Sequence, residues 1–340
     1  MWLFVYEAIC AGALGEHAPE SLRQEGWAML AALVEDFEQV AGVKTLTLLD
    51  HSCPRALGRA CRRISPGEEP AGFADVAARA DWILLIAPES DGCLAERWRW
   101  AGTAGKPLLG PTLSAIELTA DKWALANHFT KHGIPTPATQ LLDRARGAMP
   151  CLPQFSKVVC KPRHGAGSQI TYLLQSNNQL ALLWASGRAR LPNDDFLVQE
   201  YVLGQAASVS CLMGPRDCIS LAPAAQTLSD DGRFRYLGGW LPLPDALAHR
   251  AEQLARRALA TIPGLSGVIG VDMVLGTADD GSQDWVIEVN PRPTTSYIGL
   301  RRLAQDNLAE VLCRVARGER VEPIRWGQEP ITFSATQKEE

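Results

Sequence analysis

Trp285-Val286-Ile287-Glu288-Val289-Asn290-Pro291-Arg292 is a short apolar run that ends in a carboxylate, an amide and a guanidinium. Read as a strand, its side chains alternate between faces, so Glu288 and Asn290 point the same way about 7 Å apart. That span suits oxygen ligands around a pair of hard cations roughly 3.5–4 Å apart. Pro291 stops the strand, and Arg292 follows with a planar fork suited to phosphate. Upstream, Gly270-Val271-Asp272-Met273-Val274-Leu275 is a second apolar strand with one acid inside it. Such an acid is costly to bury unless it is paired or holds a metal. The competing reading makes Asp272 and Glu288 solvated acids at strand edges. Glu-x-Asn-Pro-Arg, however, is expected by chance in roughly one chain of this length in several hundred. The expectation is a metal and phosphate site with Asp272, Glu288 and Asn290 as ligands.

Two upstream segments could serve the same site. Val158-Val159-Cys160-Lys161 is a buried strand that delivers a lysine into the glycine-rich turn Gly165-Ala166-Gly167-Ser168. Small residues let backbone N–H groups close on phosphate oxygens, and Lys161 adds a point charge. Most Gly-x-Gly-Ser turns are merely turns, and no Gly-Lys-Ser/Thr follows, so this is not a Walker A loop. The second segment, Phe196-Leu197-Val198-Gln199-Glu200-Tyr201-Val202-Leu203-Gly204, is by itself an ordinary strand ending at a glycine. A helix from Thr119 or Asp121, either able to cap it, runs to about His132, with Gly133 after it and Pro135 beyond. Lys122 opens that helix, and a solvated surface lysine is the plain alternative there.

Taken together these segments resemble the ATP-grasp superfamily. The resemblance implies ATP held between two lobes and two Mg²⁺ ions on Asp272, Glu288 and Asn290, with Mn²⁺ as a substitute. It places Lys122, Lys161 and the loop Gly165, Ala166, Gly167 and Ser168 on the phosphates. It also puts Gln199 on the adenine amine, the backbone of Glu200 and Val202 on the adenine edge, and Tyr201 and Val202 against the ring. The implied reaction phosphorylates a carboxylate, and an amine then attacks the acyl phosphate to give an amide. Arg292 and Lys161 are the expected catalytic cations, steadying the transferred phosphoryl group. No nucleophilic side chain is needed, and each of the six histidines reads as structural. Where D-alanine–D-alanine ligases carry a ribose-binding glutamate and an arginine, this chain has Ala206 and Gly270, which argues against that activity and leaves the ribose contact unassigned.

A more specific resemblance, to tyramine–glutamate ligases of methanofuran biosynthesis, rests on four segments: Phe4-Val5-Tyr6-Glu7-Ala8-Ile9-Cys10-Ala11-Gly12, the hinge run 199–202, Ser208-Val209-Ser210 and Tyr236-Leu237-Gly238-Gly239. It implies an amide between the γ-carboxyl of glutamate and tyramine or a tyrosine-like amine, in a methylofuran-type cofactor route. Glu7, Gly12, Arg233, Arg235 and Tyr236 are the substrate-site expectations. The competing readings are that Glu7 and Gly12 only shape the first strand-to-helix turn and that Arg233 is solvated. Also open are another amino-acid ligase of this fold, such as one joining lysine to an ornithine derivative, a carboxylase-type enzyme, and a non-catalytic nucleotide-binding regulator.

Elements that could position these residues follow from patterning. The fold class is α/β: a parallel-sheet domain over 1–111, a small α+β subdomain over 112–203 with the lysines, glycine loop and hinge, a large one over 204–325 with the metal site, and a polar tail over 326–340. In the first domain we expect strands at 2–7, 44–50 and 81–87 and helices near 20–40 and 91–102; a further helix is expected at 245–260. Loops 164–169 and 227–239 are expected to close over the nucleotide. A hydrophobic fraction of 46% excludes disorder, and a net charge of −5 argues against a general nucleic-acid binder. Nine cysteines without a Cys-x-x-Cys pair indicate neither a zinc site nor a disulfide framework. The expected setting is cytoplasmic, away from membranes, with small-molecule substrates; a homodimer is left open.

Overall fold

The computed structural model describes residues 1–15, 19–142, 157–165, 167–168, 170–185 and 195–334. The first part of the chain is built from β1 (Trp2–Glu7), α1 (Glu20–Glu38), β2 (Lys44–Asp50), β3 (Ala60–Ile64), α2 (Glu69–Arg79), β4 (Trp82–Ile86) and α3 (Cys93–Thr103). Its four strands lie in the order β3-β2-β1-β4, all parallel. Alternation along β1 feeds two cores: Leu3 and Val5 join Leu30, Leu33 and Phe37 of α1, while Phe4 and Tyr6 join Phe73 of α2. Patterning missed β3 and α2. Two arginines interrupt β3, and the Arg63 guanidinium donates to the carbonyls of Asp50 at 2.9 Å and Cys53 at 2.8 Å. The strand order reverses between β1 and β4, which opens a crevice at their carboxyl ends.

Next come α4 (Leu113–Ala120), α5 (Lys122–Lys131), β5 (Thr139–Leu142), β6 (Val158–Pro162), β7 (Tyr172–Leu174), α6 (Asn177–Ala185) and β8 (Phe196–Glu200). The strands form an antiparallel sheet in the order β5-β8-β6-β7. Val158, Cys160, Phe196 and Val198 pack against Leu180 and Leu183 of α6. The alternate positions pair Lys161 with Leu197 and Val159 with Gln199, so Lys161 and Gln199 share the opposite face. Although α5 precedes this sheet in the chain, its Leu125 and Phe129 lie in the core beneath the next one.

That next sheet comprises β9 (Gln205–Met213), β10 (Cys218–Ser220), β11 (Ala224–Leu228), β12 (Tyr236–Leu241), β13 (Gly267–Leu275), β14 (Trp285–Asn290) and β15 (Ile331–Phe333), with α7 (Asp245–Leu259), α8 (Ser296–Leu303) and α9 (Leu308–Ala316) against it. Its order is β14-β13-β9-β11-β12-β15, and β10 pairs β9. One face is apolar: Val209, Val271 and Val289 meet Ala251, Leu254, Ala255 and Ala258, the i, i+3, i+4, i+7 stripe of α7. Each leucine buried this way contributes about 1.5–3 kcal/mol. The other face carries the acids. The chain passes between the two antiparallel sheets through residues 201–204, where a Cβ on Gly204 would lie 2.2 Å from the Leu275 carbonyl oxygen, so only glycine fits.

The polar tail expected from residue 326 is corrected over 326–334. Trp326 bridges to Ala304, and Ile331–Phe333 pairs with β12 while burying Phe333. Polar neighbours hid a strand anchored in the core by the buried ring of Phe333, with half-buried Ile331 beside it. Among the described residues no helix is long and apolar enough to cross a membrane, and the cysteines are free thiols.

Candidate active site

Residues of β13 and β14 stand opposite one another in the register Gly270↔Asn290, Val271↔Val289 and Asp272↔Glu288. The apolar pair faces α7, so Asp272, Glu288 and Asn290 share the opposite face, as the alternation predicts. Asn290 Nδ2 donates to Asp272 at 3.0 Å, and Gln226 Nε2 of β11 donates to its other oxygen at 3.0 Å. Burial, and then the neighbouring Glu288, push the Asp272 carboxyl up to about 7. Burial alone would raise Glu288 too, but Lys122 and Lys161 outweigh it and hold this acid below the usual range. Lys122 Nζ lies 3.3 Å from Glu288 and donates to the Gly165 carbonyl at 2.6 Å. Lys161 is buried, and desolvation brings it down to about 8 against the partly offsetting pull of Glu288. Two lysines and two acids thus meet across the cleft between the antiparallel sheets.

Asp121, not Thr119, caps α5, accepting from Trp123 N and Ala124 N at 3.0 Å each. It also takes the Arg163 fork at 2.9 and 2.6 Å, and Lys122 N donates to the Arg163 carbonyl. The start of the lysine helix is thereby fixed to the turn after the lysine strand. Gly165 and Gly167 have φ of 144° and 69°, and Ser168 has 56°, so the loop does use left-handed backbone. Ala166 lies outside the described residues.

Gln199 is buried on the face that carries Lys161, and its Nε2 donates to Thr139 Oγ1 at 2.9 Å. The Glu200 N–H is committed to Ala138 O and the Tyr201 N–H to Lys157 O, whereas Val202 N–H has no acceptor among the described residues. The Tyr201 ring lies 6.0 Å from that of Phe234. Phe234 belongs to a turn that reaches over from the large sheet. Leu173 N of β7 donates to the Gly232 carbonyl at 2.8 Å, and the Arg233 guanidinium lies over Tyr172 at 4.0 Å.

The substrate expectations separate. Tyr236 is near the centre, its phenol pushed up by burial and then by Asp272 and Glu25. Arg233 stacks on Tyr172, and exposed Arg235 pairs with Asp231 at 2.7 Å, so neither joins the acids. Gly12 is a turn glycine at φ 83° beside Asp50. Glu7 lies beneath α1: it accepts from Cys10 N at 2.6 Å, and a Cβ on Gly26 would fall 2.6 Å from its carboxylate. Arg292 does not stand free beyond β14 but forks onto Glu89, at 3.0 and 3.1 Å, in the segment after β4. Sequence reasoning missed Glu89, Gln226 and Arg163. Of these, only Gln226, a polar residue that follows the apolar run Ala224-Ala225, left a trace in the sequence.

Among the described residues no group of three or more His, Cys, Asp or Glu could hold a metal by itself. Two carboxylates and an amide next to two lysines instead suit Mg²⁺ shared with a polyphosphate, because Mg²⁺ is usually held by one or two carboxylates plus phosphate oxygens. Residues 119–296, half of the chain, match the ATP-grasp domain family, and residues 43–116 match the pre ATP-grasp 3 domain. The chain belongs to the ATP-grasp family. Tyramine–L-glutamate ligase from Methanocaldococcus fervens is 27% identical over 71% of this chain and 68% of its own length. The enzyme of that name from Methanocaldococcus jannaschii is 26% identical over 70% and 64%. An ATP-grasp superfamily protein from Archaeoglobus fulgidus has the same fold, with a TM-score of 0.72, 24% identity and coverage of 96% and 91%. This ATP-grasp protein is an ATP-dependent C–N ligase of mixed α/β fold, and ATP with Mg²⁺ is the cofactor set of its family.

Burial, partly offset by the Cys10 N–H, raises Glu7 from 4.5 to about 7. The folded state therefore holds this proton more tightly than the unfolded chain. Stability from Glu7 is complete below pH 4.5 and is lost as pH rises to about 7, by roughly 3 kcal/mol. Glu7→Gln keeps the acceptor for Cys10 and removes the titration. Urea melts should match near pH 4.5 and favour the variant above pH 7.5; a gap that does not change with pH would contradict this placement.

Proposed function

We propose that the protein joins the γ-carboxyl of glutamate to tyramine or a tyrosine-like amine through an acyl phosphate, in a methylofuran-type cofactor route. The observation that carries the chemistry is the facing of Asp272, Glu288 and Asn290 with Lys122 and Lys161 across one cleft. The match to two tyramine–L-glutamate ligases supports the substrates.

Each residue then has a task. Adenine lies by the hinge, reading the Glu200 carbonyl and the Val202 N–H, with Tyr201 and Phe234 as apolar walls. Lys122 and Lys161 draw off charge from the transferring phosphoryl group, and Lys122 exchanges its Glu288 contact for phosphate. Asp272, Glu288 and Asn290 would hold the two Mg²⁺ ions, whose charge would offset that of the phosphate oxygens. Arg292, aimed by Glu89, steadies the phosphoryl group and the oxyanion that forms when the amine attacks. The 229–235 turn, resting on β7, keeps water from the acyl phosphate.

The test is ADP release with glutamate plus tyramine, tyrosine, D-alanine or lysine, followed by mass measurement of the product. Glutamate with tyramine or tyrosine should give a product heavier than the amine by one glutamyl residue. Turnover with D-alanine or lysine alone would refute the substrate assignment and leave the ATP site standing.

A further inference from the structure

An acceptor amine reaches this site protonated, because primary alkylamines ionise near pH 10. Its nitrogen must be recognised as a cation and must lose a proton before it can attack. Three carboxylates of the first domain act on Arg292 in the turn that follows β14: Glu89 by direct contact, and Glu25 and Glu7 through their charge. Glu89 is committed to the Arg292 fork. Glu7 is sealed under α1 by the Cys10 amide and Gly26. Asp272 and Glu288 belong to the metals in the reading above. That leaves Glu25 of α1, half-buried, which takes one hydrogen bond from Thr295 Oγ1. Its second oxygen has no hydrogen-bond partner among the described residues.

Its position is fixed from both sides. Thr295 stands three residues after Arg292, and the methyl of neighbouring Thr294 packs over Gly270, two residues before Asp272. Glu25 contributes to the field that raises both Arg292 and the Tyr236 phenol, the latter also facing Asp272. The carboxylate therefore stands where the wall of the first domain meets the reacting centre.

Building on the ligase reading, we propose that Glu25 binds the acceptor's ammonium group and takes its proton. One proton passes from the ammonium to Glu25, and the freed lone pair attacks the acyl-phosphate carbonyl. The C–N bond forms, the bond from carbon to the phosphate oxygen breaks, and phosphate leaves with the electron pair. A second proton then passes from the new amide nitrogen to the departing phosphate. Thr295 only aims the carboxylate.

Hydroxylamine separates this role from a structural one, because it is uncharged at neutral pH and traps acyl phosphates as hydroxamates without needing a base. With ATP, Mg²⁺ and glutamate, Glu25→Gln should lower kcat/KM for tyramine by about 10²-fold or more while changing hydroxamate formation less than threefold. Thr295→Val, which keeps the carboxylate, should cost tyramine coupling less than tenfold, and Glu25→Asp should restore part of the loss. Equal loss of both reactions in Glu25→Gln, or loss of neither, overturns the role. If the unaltered protein forms neither hydroxamate nor amide, the ligase reading fails and this one fails with it.

Discussion

Glu288→Gln should lower the rate of ADP release by 10³-fold or more at saturating Mg²⁺ while the protein stays folded. The substitution preserves shape and removes one charge from the acid that faces Asp272 and lies 3.3 Å from Lys122. An amide is a poor ligand for a hard cation that must also neutralise phosphate oxygens, so the loss falls on turnover. Stability should fall modestly, since Lys122 and Lys161 lose the carboxylate that their charges favour, with partial relief from Asp272 losing a like-charged neighbour. Steady-state ADP release and calorimetric titration with Mg²⁺ and a non-hydrolysable ATP analogue check both halves. Activity near that of the unaltered protein in high Mg²⁺ would remove Glu288 from the metal set.

Arg292→Ala should cost both catalysis and folding, and a second substitution should return only the folding. Arg292 and Glu89 are both nearly sealed from solvent, with side-chain exposures of 14% and 6%. Removing the guanidinium strands a buried carboxylate, a cost of about 3–5 kcal/mol, and deletes a donor from the transferred phosphoryl group, about 10²–10³-fold in kcat. Adding Glu89→Gln removes the stranded charge, so denaturation midpoints should recover most of the loss while kcat stays low. If kcat recovers along with stability in the double variant, Arg292 acts through the fold and not on the phosphoryl group.

The pattern Glu-x-Asn-Pro-Arg was legible because a strand fixes the direction of its side chains locally: once Val286 and Val289 must face a core, Glu288 and Asn290 must face away. Lys161 and Gln199 were legible for the same reason on β6 and β8. Partners supplied from far along the chain were not. Glu89 meets Arg292 across 203 residues of sequence and Glu25 meets Thr295 across 270, and nothing local to either member of these pairs announces the other. Arg233 and Arg235 misled because charge in a glycine-containing turn reads equally well as a substrate contact or as the turn's own bracing, and the structure shows the bracing. β3 and β15 were missed because arginines and polar neighbours blur a two-residue period.

The pairing of β12 with β15 bears on how the protein is made. Gly239 stands opposite Phe333, whose ring fills the space left by the missing side chains of Gly239 and Gly299. Until the ribosome has released residues 331–333, that margin of the sheet presents unpaired backbone next to Trp240. The first domain's strands are complete by residue 86 and can order early, whereas the seven-stranded sheet gains its last strand only after a much later segment has been translated. The large sheet is thus completed late in synthesis, and until then the nascent chain carries an open β edge at β12.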